Sequence, residues 1–187
     1  MFLQMLSSDE QSLFLKAAWL VSISDNPLLW GGKTEDEITS NTDLEKITFV
    51  HNKAERAILE GFMNECDRKD FADEDDEAQW LEDSLIEKIK EQPIKKQSDP
   101  LLRQQLAEET LSELFSSRSG GIGLFQFATR VANQEKSFQP SSPSAAKIML
   151  YELLLLALAD GSVSGIEGVL IKKFCTLLQI DDETYDD

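Results

Sequence analysis

Apolar residues recur along most of the chain at the three- and four-residue spacing of amphipathic helices. This pattern predicts helices at residues 7–24, 52–67, 78–91, 99–116 and 122–134, with two more inside 142–181. No segment shows the alternation of a half-buried strand, so the sequence predicts an all-α fold, a compact bundle of about seven helices. Residues 27–50 are irregular, with at most a short helical turn around Leu44–Val50.

The most apolar stretch, residues 142–181, is predicted to form two helices joined by a turn at Asp160-Gly161. Nearly every residue from Ile148 to Ala159 is apolar, which predicts a first helix buried on most of its circumference. Ser164 is the predicted N-cap of the second helix, and Glu167 three residues later completes a capping box. The stretch therefore has the pattern of a helical hairpin.

This hairpin has a counterpart near the N-terminus. Residues 13–26 align with 148–161 at an offset of 135, and residues 55–63 align with 167–175 at an offset of 112. The difference in offsets means that the first copy carries 23 additional residues between its helices, roughly 27–50. Two such hairpins predict a pseudo-two-fold pair, with chance similarity between amphipathic helices as the alternative.

The length of 187 residues suits a single helical domain over 1–187. In this division the first hairpin spans 7–67, the central helices 75–135 and the second hairpin 142–181. Residues 181–183, Asp-Asp-Glu, have the pattern of a further helix cap, so a continuation of the natural chain past Asp187 stays open.

The formal net charge of −17 disfavours nucleic acid and anionic membrane surfaces as partners and favours cations or another protein. No secretory signal is visible at the N-terminus, and the longest apolar run, Leu153–Ala159, is too short for a membrane span. We therefore expect a cytoplasmic protein. Cys66 and Cys175 lack metal-ligand or redox spacing and are predicted to be buried thiols.

The sequence ALADGSVSGIEGVLIKKFCTLLQI, residues 157–180, resembles the signature hairpin of the TerB-like family of tellurite-resistance proteins. The first copy departs from it, with Ser-Asp-Asn at 24–26 and an insertion before its glutamate. The resemblance implies an all-helical domain with internal pseudo-symmetry, a divalent-cation site lined by acidic residues, a link to tellurite resistance or stress response, and no established enzymatic activity. Carried over position by position, the implied metal-site residues are Asp25, Glu55, Asp160 and Glu167.

These four carboxylates have two interpretations. Gathered around one point they repel each other, and a cation would relieve that repulsion; oxygen-only ligands suit Ca²⁺, Mg²⁺ or Mn²⁺ better than zinc. Alternatively, Glu55 and Glu167 are the third residues of capping boxes, and the two aspartates are ordinary turn residues.

The alternative function is a metal-free scaffold for protein–protein interaction with an acidic surface, strongest at residues 67–77. The apolar cluster Leu28, Leu29 and Trp30 would mark a contact site if exposed, or fill the hairpin if buried. Catalysis has little support, because His51 is the sole histidine and no nucleophile motif is present, so we expect a non-enzymatic protein.

Overall fold

The computed structural model describes residues 2–66, 74–116 and 138–180, without the side chains of 74–79. Seven α-helices lie in these ranges: α1 (Ser8–Ser24), α2 (Lys53–Glu65), α3 (Glu74–Lys90), α4 (Ile94–Gln97), α5 (Pro100–Ser116), α6 (Pro143–Ala157) and α7 (Gly165–Leu177). Two short strands, β1 (Leu28–Trp30) and β2 (Ile47–Phe49), and 3₁₀ turns at Leu3–Met5 and Glu35–Glu37 complete the described elements. The predicted helix 122–134 lies outside the described residues.

The hairpin helices begin at their predicted caps. Ser7 and Glu10 form the reciprocal capping box of α1, in which the Ser7 N–H donates to Glu10 Oε2 over 2.8 Å. Ser142 Oγ accepts from the Ala145 N–H at the start of α6, over 3.1 Å. Side-chain oxygens at these positions satisfy N–H groups that have no partner inside the helix. The sequence thus predicts these starts to within a residue.

The small sheet corrects the prediction of a purely helical chain. β1 and β2 pair antiparallel, with Leu28 opposite Phe49 and Trp30 opposite Ile47. The helical turn predicted at Leu44–Val50 is therefore wrong. Each strand has only three residues, too few for an alternating pattern to be recognised among turn formers.

Trp30 is buried, as the second interpretation of its cluster predicted. Its side chain is 1% exposed, and its Nε1–H donates to Gln97 Oε1 over 2.8 Å. This bond ties the segment between α1 and α2 to the short helix α4, which the sequence did not predict. The Leu28–Trp30 cluster fills the protein interior and offers no contact surface through its tryptophan.

The core lies where the two hairpins meet α5. α1 packs against α2, α3, α5, α6 and α7, and α5 also packs against α7. Edge-to-face pairs fix this core, with 5.3 Å between the rings of Phe14 and Phe62 and 5.6 Å between those of Phe115 and Phe174. Cys66 and Cys175 are buried, as predicted. None of the described helices is both long and apolar enough to cross a membrane.

Helical spacing at 78–91 predicts an inner face of Trp80, Leu81, Leu85, Ile86 and Ile89, and the first of these is wrong. Trp80 on α3 is 58% exposed, whereas Leu81, Leu85 and Ile89 are buried. Successive helical residues are rotated by about 100°. The buried stripe of α3 therefore begins one position later than predicted.

Candidate functional site

Glu55 and Glu167 occupy core positions in two amphipathic helices. The buried face of α2 is Glu55, Leu59, Phe62 and Cys66, and that of α7 includes Glu167, Ile171, Phe174 and Leu178. The two sets correspond at the offset of 112. Helical spacing predicts an α2 stripe of Ala54, Ile58, Phe62 and Cys66. Its last two members are buried, as predicted, whereas Ala54 is exposed and Ile58 only half-buried. A glutamate at a position that otherwise takes an apolar side chain requires a polar partner or a cost in stability.

Glu55 is 3% exposed, and its Oε2 atom is buried without a hydrogen-bond partner. The predicted capping box does not form around it, because Asn52 Oδ1 accepts instead from the Ala54 N–H over 2.9 Å. The Glu55 carboxyl group instead lies near Ser22 of α1, whose hydroxyl favours its ionised form. The capping interpretation of Glu55 is therefore wrong.

Glu167 does form its predicted capping box. The Ser164 N–H donates to Glu167 Oε2 over 2.6 Å, and the Glu167 N–H donates to Ser164 Oγ over 3.1 Å. The other carboxylate oxygen, Oε1, is buried with no partner, and the residue is 2% exposed. Helix capping thus accounts for only one of its two oxygens.

The two aspartates lie at the ends of the preceding helices. Asp25 is the C-cap residue of α1 and is half-buried. Asp160 is exposed in the turn after α6, where its Oδ1 accepts from the Ser162 N–H over 3.1 Å. Gly161 follows with φ +95°, a left-handed conformation that favours glycine. Both aspartates thus serve as turn residues, as one of the two interpretations predicted.

All four carboxylates interact electrostatically. The pKa of Glu55 is raised to about 7, mainly by burial and in smaller part by the charges of Glu167, Asp25 and Asp160, with Ser22 opposing the shift. Burial also raises the pKa of Glu167, where hydrogen bonds from Ser164 oppose it and the charges of both aspartates add to it. The fold therefore brings the four predicted residues into one electrostatic cluster.

Arg103 on α5 was not predicted and supplies a positive charge near this cluster. It is 8% exposed, and its Nη2–H donates to Ser24 O over 2.6 Å and to Ile23 O over 3.4 Å. Burial lowers its pKa, and the charge of Asp25 opposes that shift. Its guanidinium carbon lies 5.8 Å from the centre of the Phe49 ring. The sequence signal that could have identified Arg103 as a buried residue is its helical spacing from Leu106, Thr110 and Leu114, which are all buried.

The geometry as it stands is not that of a completed metal centre. Across 2–66, 74–116 and 138–180, no three His, Cys, Asp or Glu side chains are grouped so that they could hold a metal ion. The donor chemistry nevertheless suits a hard divalent cation, because the four groups are carboxylates and two of them carry a buried oxygen without a partner.

The sole histidine, His51, contacts α3. His51 Nε2 is 2.9 Å from Glu82 Oε1, although the two atoms are not aligned for a hydrogen bond. Burial lowers the pKa of His51 and raises that of Glu82. Together these shifts disfavour a charged pair, so the contact ties α3 to the start of α2 by packing more than by charge.

The chain was also compared with known proteins. No protein-family model, no curated protein and no solved structure matches it.

Proposed function

We propose that this chain is a non-enzymatic, TerB-like helical module that binds a divalent cation between its two hairpin corners. The ligands in this proposal are Asp25, Glu55, Asp160 and Glu167, and the cation is Ca²⁺, Mg²⁺ or Mn²⁺. The carrying observation is that both glutamates occupy core stripe positions, each with a buried oxygen that no protein group satisfies. The link to tellurite resistance or stress response rests on the family resemblance.

A pseudo-two-fold relation between the hairpins is part of this proposal. α2 and α7 each have 13 residues and begin and end at positions that correspond at the offset of 112. α1 and α6 begin at positions that correspond at the offset of 135. The first helix of each hairpin packs against the second helix of the other, α1 against α7 and α6 against α2. Reciprocal packing of this kind is expected when two copies are related by a two-fold axis.

A cation would act on this cluster through charge. It would neutralise carboxylates that otherwise repel each other across a poorly solvated interior, and it would give the partnerless oxygens of Glu55 and Glu167 a ligand. Asp160 is exposed and held by a single turn hydrogen bond, so its side chain can reorient toward an ion at little cost. The protein contributes a pre-assembled negative potential in this scheme.

Isothermal titration calorimetry of chelator-treated protein with Ca²⁺, Mg²⁺ and Mn²⁺ tests this proposal. We expect saturable binding of at least one ion, weakened about tenfold or more in Asp160→Asn because one charged ligand is lost. Asp36→Asn is the matched control, since it removes an exposed aspartate in the 3₁₀ turn Glu35–Glu37. Equal effects of both substitutions would indicate diffuse counterion binding and contradict a defined site.

The alternative proposal is a metal-free scaffold that binds another protein through its acidic surface. An open hollow of about 430 Å³ between α5 and α7 is lined by Glu108, Glu109 and Glu113, with Lys173 at its edge. Of the acidic segment predicted at 67–77, residues 67–73 lie outside the described residues, and residues 74–77 form the start of α3. Calorimetry that detects no binding of any of the three ions would favour this alternative.

A further inference from the structure

The residues that precede α1 lie in a groove between α1, α2 and α6. The 3₁₀ turn Leu3–Met5 packs on α2 and α6, and two leucines three positions apart are buried there. Leu3 is 0% exposed and Leu6 is 5% exposed, whereas Phe2 and Met5 are largely exposed. The residues Phe2–Leu6, called the N-terminal segment below, are therefore held by two leucine side chains and are open to solvent on their outer side.

Two side chains of the groove bind the backbone of this segment. Gln11 on α1 is buried, and its Nε2–H donates to Leu3 O over 3.0 Å and to Leu6 O over 3.2 Å. Glu152 on α6 is 0% exposed, and its Oε1 accepts from the Phe2 N–H over 2.6 Å. Backbone bonds with two side-chain pockets form a common mode of peptide recognition, in which the pockets supply the specificity. The groove therefore selects for the two leucines.

Glu152 has a binding capacity that the N-terminal segment does not use. Its second carboxylate oxygen, Oε2, is buried and has no hydrogen-bond partner. Between Ile148 and Ala159 it is the only charged residue. A buried carboxylate with a single donor carries a cost in stability that a second donor or a positive charge would reduce. The N-terminal segment is therefore an incomplete ligand of this groove.

The groove lies beside an exposed side of α6. Tyr151, Leu155 and Leu158 are 51%, 38% and 51% exposed, so the prediction that α6 is buried on most of its circumference is wrong. The ring of Phe2 lies edge-on to Tyr151 at 6.2 Å, at the border between the groove and this side. α3 and α5 pack on α1, whereas α6 packs among the described elements on α1, α2, α7 and the 3₁₀ turn. The N-terminal segment can therefore leave the groove without displacing one of these helices.

We propose that this groove binds a segment of a partner protein in which two leucines lie three positions apart and a cationic nitrogen precedes the first. The two leucines take the places of Leu3 and Leu6, and Gln11 donates to the backbone carbonyls. Glu152 binds the cationic nitrogen through both carboxylate oxygens. The net charge of −17 attracts such a segment and disfavours an acidic one.

The N-terminal segment acts in this proposal as an intramolecular competitor. Because it is joined directly to α1, its effective concentration at the groove is on the order of millimolar, and a partner must overcome this competition. The cationic nitrogen gives the partner its advantage, because charge strengthens a hydrogen bond that the neutral Phe2 N–H makes without it. The groove shares no residue with the proposed cation site, so either proposal can fail without the other.

Fluorescence anisotropy of a labelled peptide with the full chain tests this proposal. The peptide FLQMLS copies residues 2–7, with a free amino group and the label at its C-terminus. Leu3→Ser combined with Leu6→Ser removes both anchoring side chains from the N-terminal segment and opens the groove. We expect this double variant to bind the peptide at least about tenfold more tightly than the wild type, where the segment competes. The matched control peptide FSQMSS binds the double variant at least about tenfold more weakly than FLQMLS does.

The amino group of the peptide tests the role of Glu152. The double variant should bind FLQMLS at least about tenfold more tightly than the N-acetylated peptide, because the ammonium group offers charged donors to both carboxylate oxygens. When Glu152→Gln is added, the two peptides should bind equally. A Glu152→Gln effect that is the same for both peptides would mean that Glu152 has only a structural role and would overturn recognition of a cationic nitrogen.

Hydrogen exchange of the wild type keeps the test decisive if the double variant fails to fold. The Met5 N–H donates to Phe2 O over 3.0 Å, and the Leu6 N–H donates to Leu3 O over 3.0 Å. Millimolar FLQMLS should speed exchange at both amides at least about tenfold by displacing the segment, whereas FSQMSS leaves it unchanged. Exchange that FLQMLS does not change, or a folded double variant that binds both peptides equally, overturns the proposal.

Discussion

At the corner between α1 and α2, the pair Asp25 and Glu55 is enclosed by later parts of the chain. At the corner between α6 and α7, the equivalent pair Asp160 and Glu167 lies beside an open turn whose residues 160–163 are all exposed. The first corner has the 23 additional residues, and their strand β2 places Phe49 against Arg103. The same pair of acids is thus held in two different environments.

This difference shows in how each glutamate is satisfied. Glu167 has a capping serine that donates to one oxygen, as the local sequence dictates. Glu55 lacks that arrangement, because Asn52 Oδ1 accepts from the Ala54 N–H and Ser22 of α1 lies near the Glu55 carboxyl group. Helix capping therefore does not account for the buried position of Glu55, whereas the proposed cation site would.

The largest effect should come from Arg103, which acts on the first corner alone. Arg103→Met removes the donor for the carbonyls of Ile23 and Ser24 and should lower the free energy of unfolding by about 3 kcal/mol. Urea denaturation measures this. Arg56→Met, which removes an exposed arginine from α2, should stay within about 0.5 kcal/mol. Equal losses in the two variants would show that the first corner does not depend on its arginine.

The next largest effects are expected from neutralising each glutamate, which should change the free energy of unfolding by different amounts at the two corners. In chelator at pH 8, Glu55→Gln should raise the free energy of unfolding by about 2 kcal/mol, because an ionised carboxylate is no longer buried without a counterion. The free energy of unfolding should rise less in Glu167→Gln, because the hydrogen bond from the Ser164 N–H favours the ionised form of Glu167. Urea denaturation of both variants measures these changes. A larger rise in unfolding free energy for Glu167→Gln than for Glu55→Gln would contradict the claim that the first corner has the less stabilised carboxylate.

The pH dependence follows from the same carboxyl group. Glu55 has a raised pKa of about 7 in the folded state against an ordinary value of 4.5, so the folded state holds its proton longer. Ionising it costs stability as pH rises from about 4.5 to about 7, and the cost is constant above that. The difference in unfolding free energy between Glu55→Gln and the wild type should therefore grow between pH 5 and pH 8. A difference that is flat over this range would mean that Glu55 is not perturbed.

Local chemistry made the hairpins predictable. Capping residues such as Ser7, Ser142 and Ser164 act within three residues of themselves, so the sequence predicted these helix starts correctly. The paired strands and the buried Trp30 depend on contacts between distant segments. Three-residue strands give no periodic signal, and the partner of Trp30 is 67 positions away.

Two further features, one in the candidate site and one on the surface of α6, could not be predicted from the sequence. To predict that Glu55 is buried, one must choose between two faces of α2 that differ by one residue. Only the packing of α2 against α1 decides which face is buried. The exposure of Leu155 and Leu158 depends on which helix receives the α3 and α5 layer. Composition cannot distinguish α6 from α1 in this respect, because both helices are apolar enough to be covered.

The most direct test of the cation site is the melting temperature at pH 8 as a function of Ca²⁺, Mg²⁺ or Mn²⁺ concentration, for three proteins. The wild type and Glu60→Gln, which removes an exposed carboxylate from α2, should both be stabilised progressively by at least one ion. Glu55→Gln should begin at a higher melting temperature and gain little from that ion. A wild-type melting temperature that none of the three ions changes, or an equal ion response in all three proteins, would contradict a site built on Glu55.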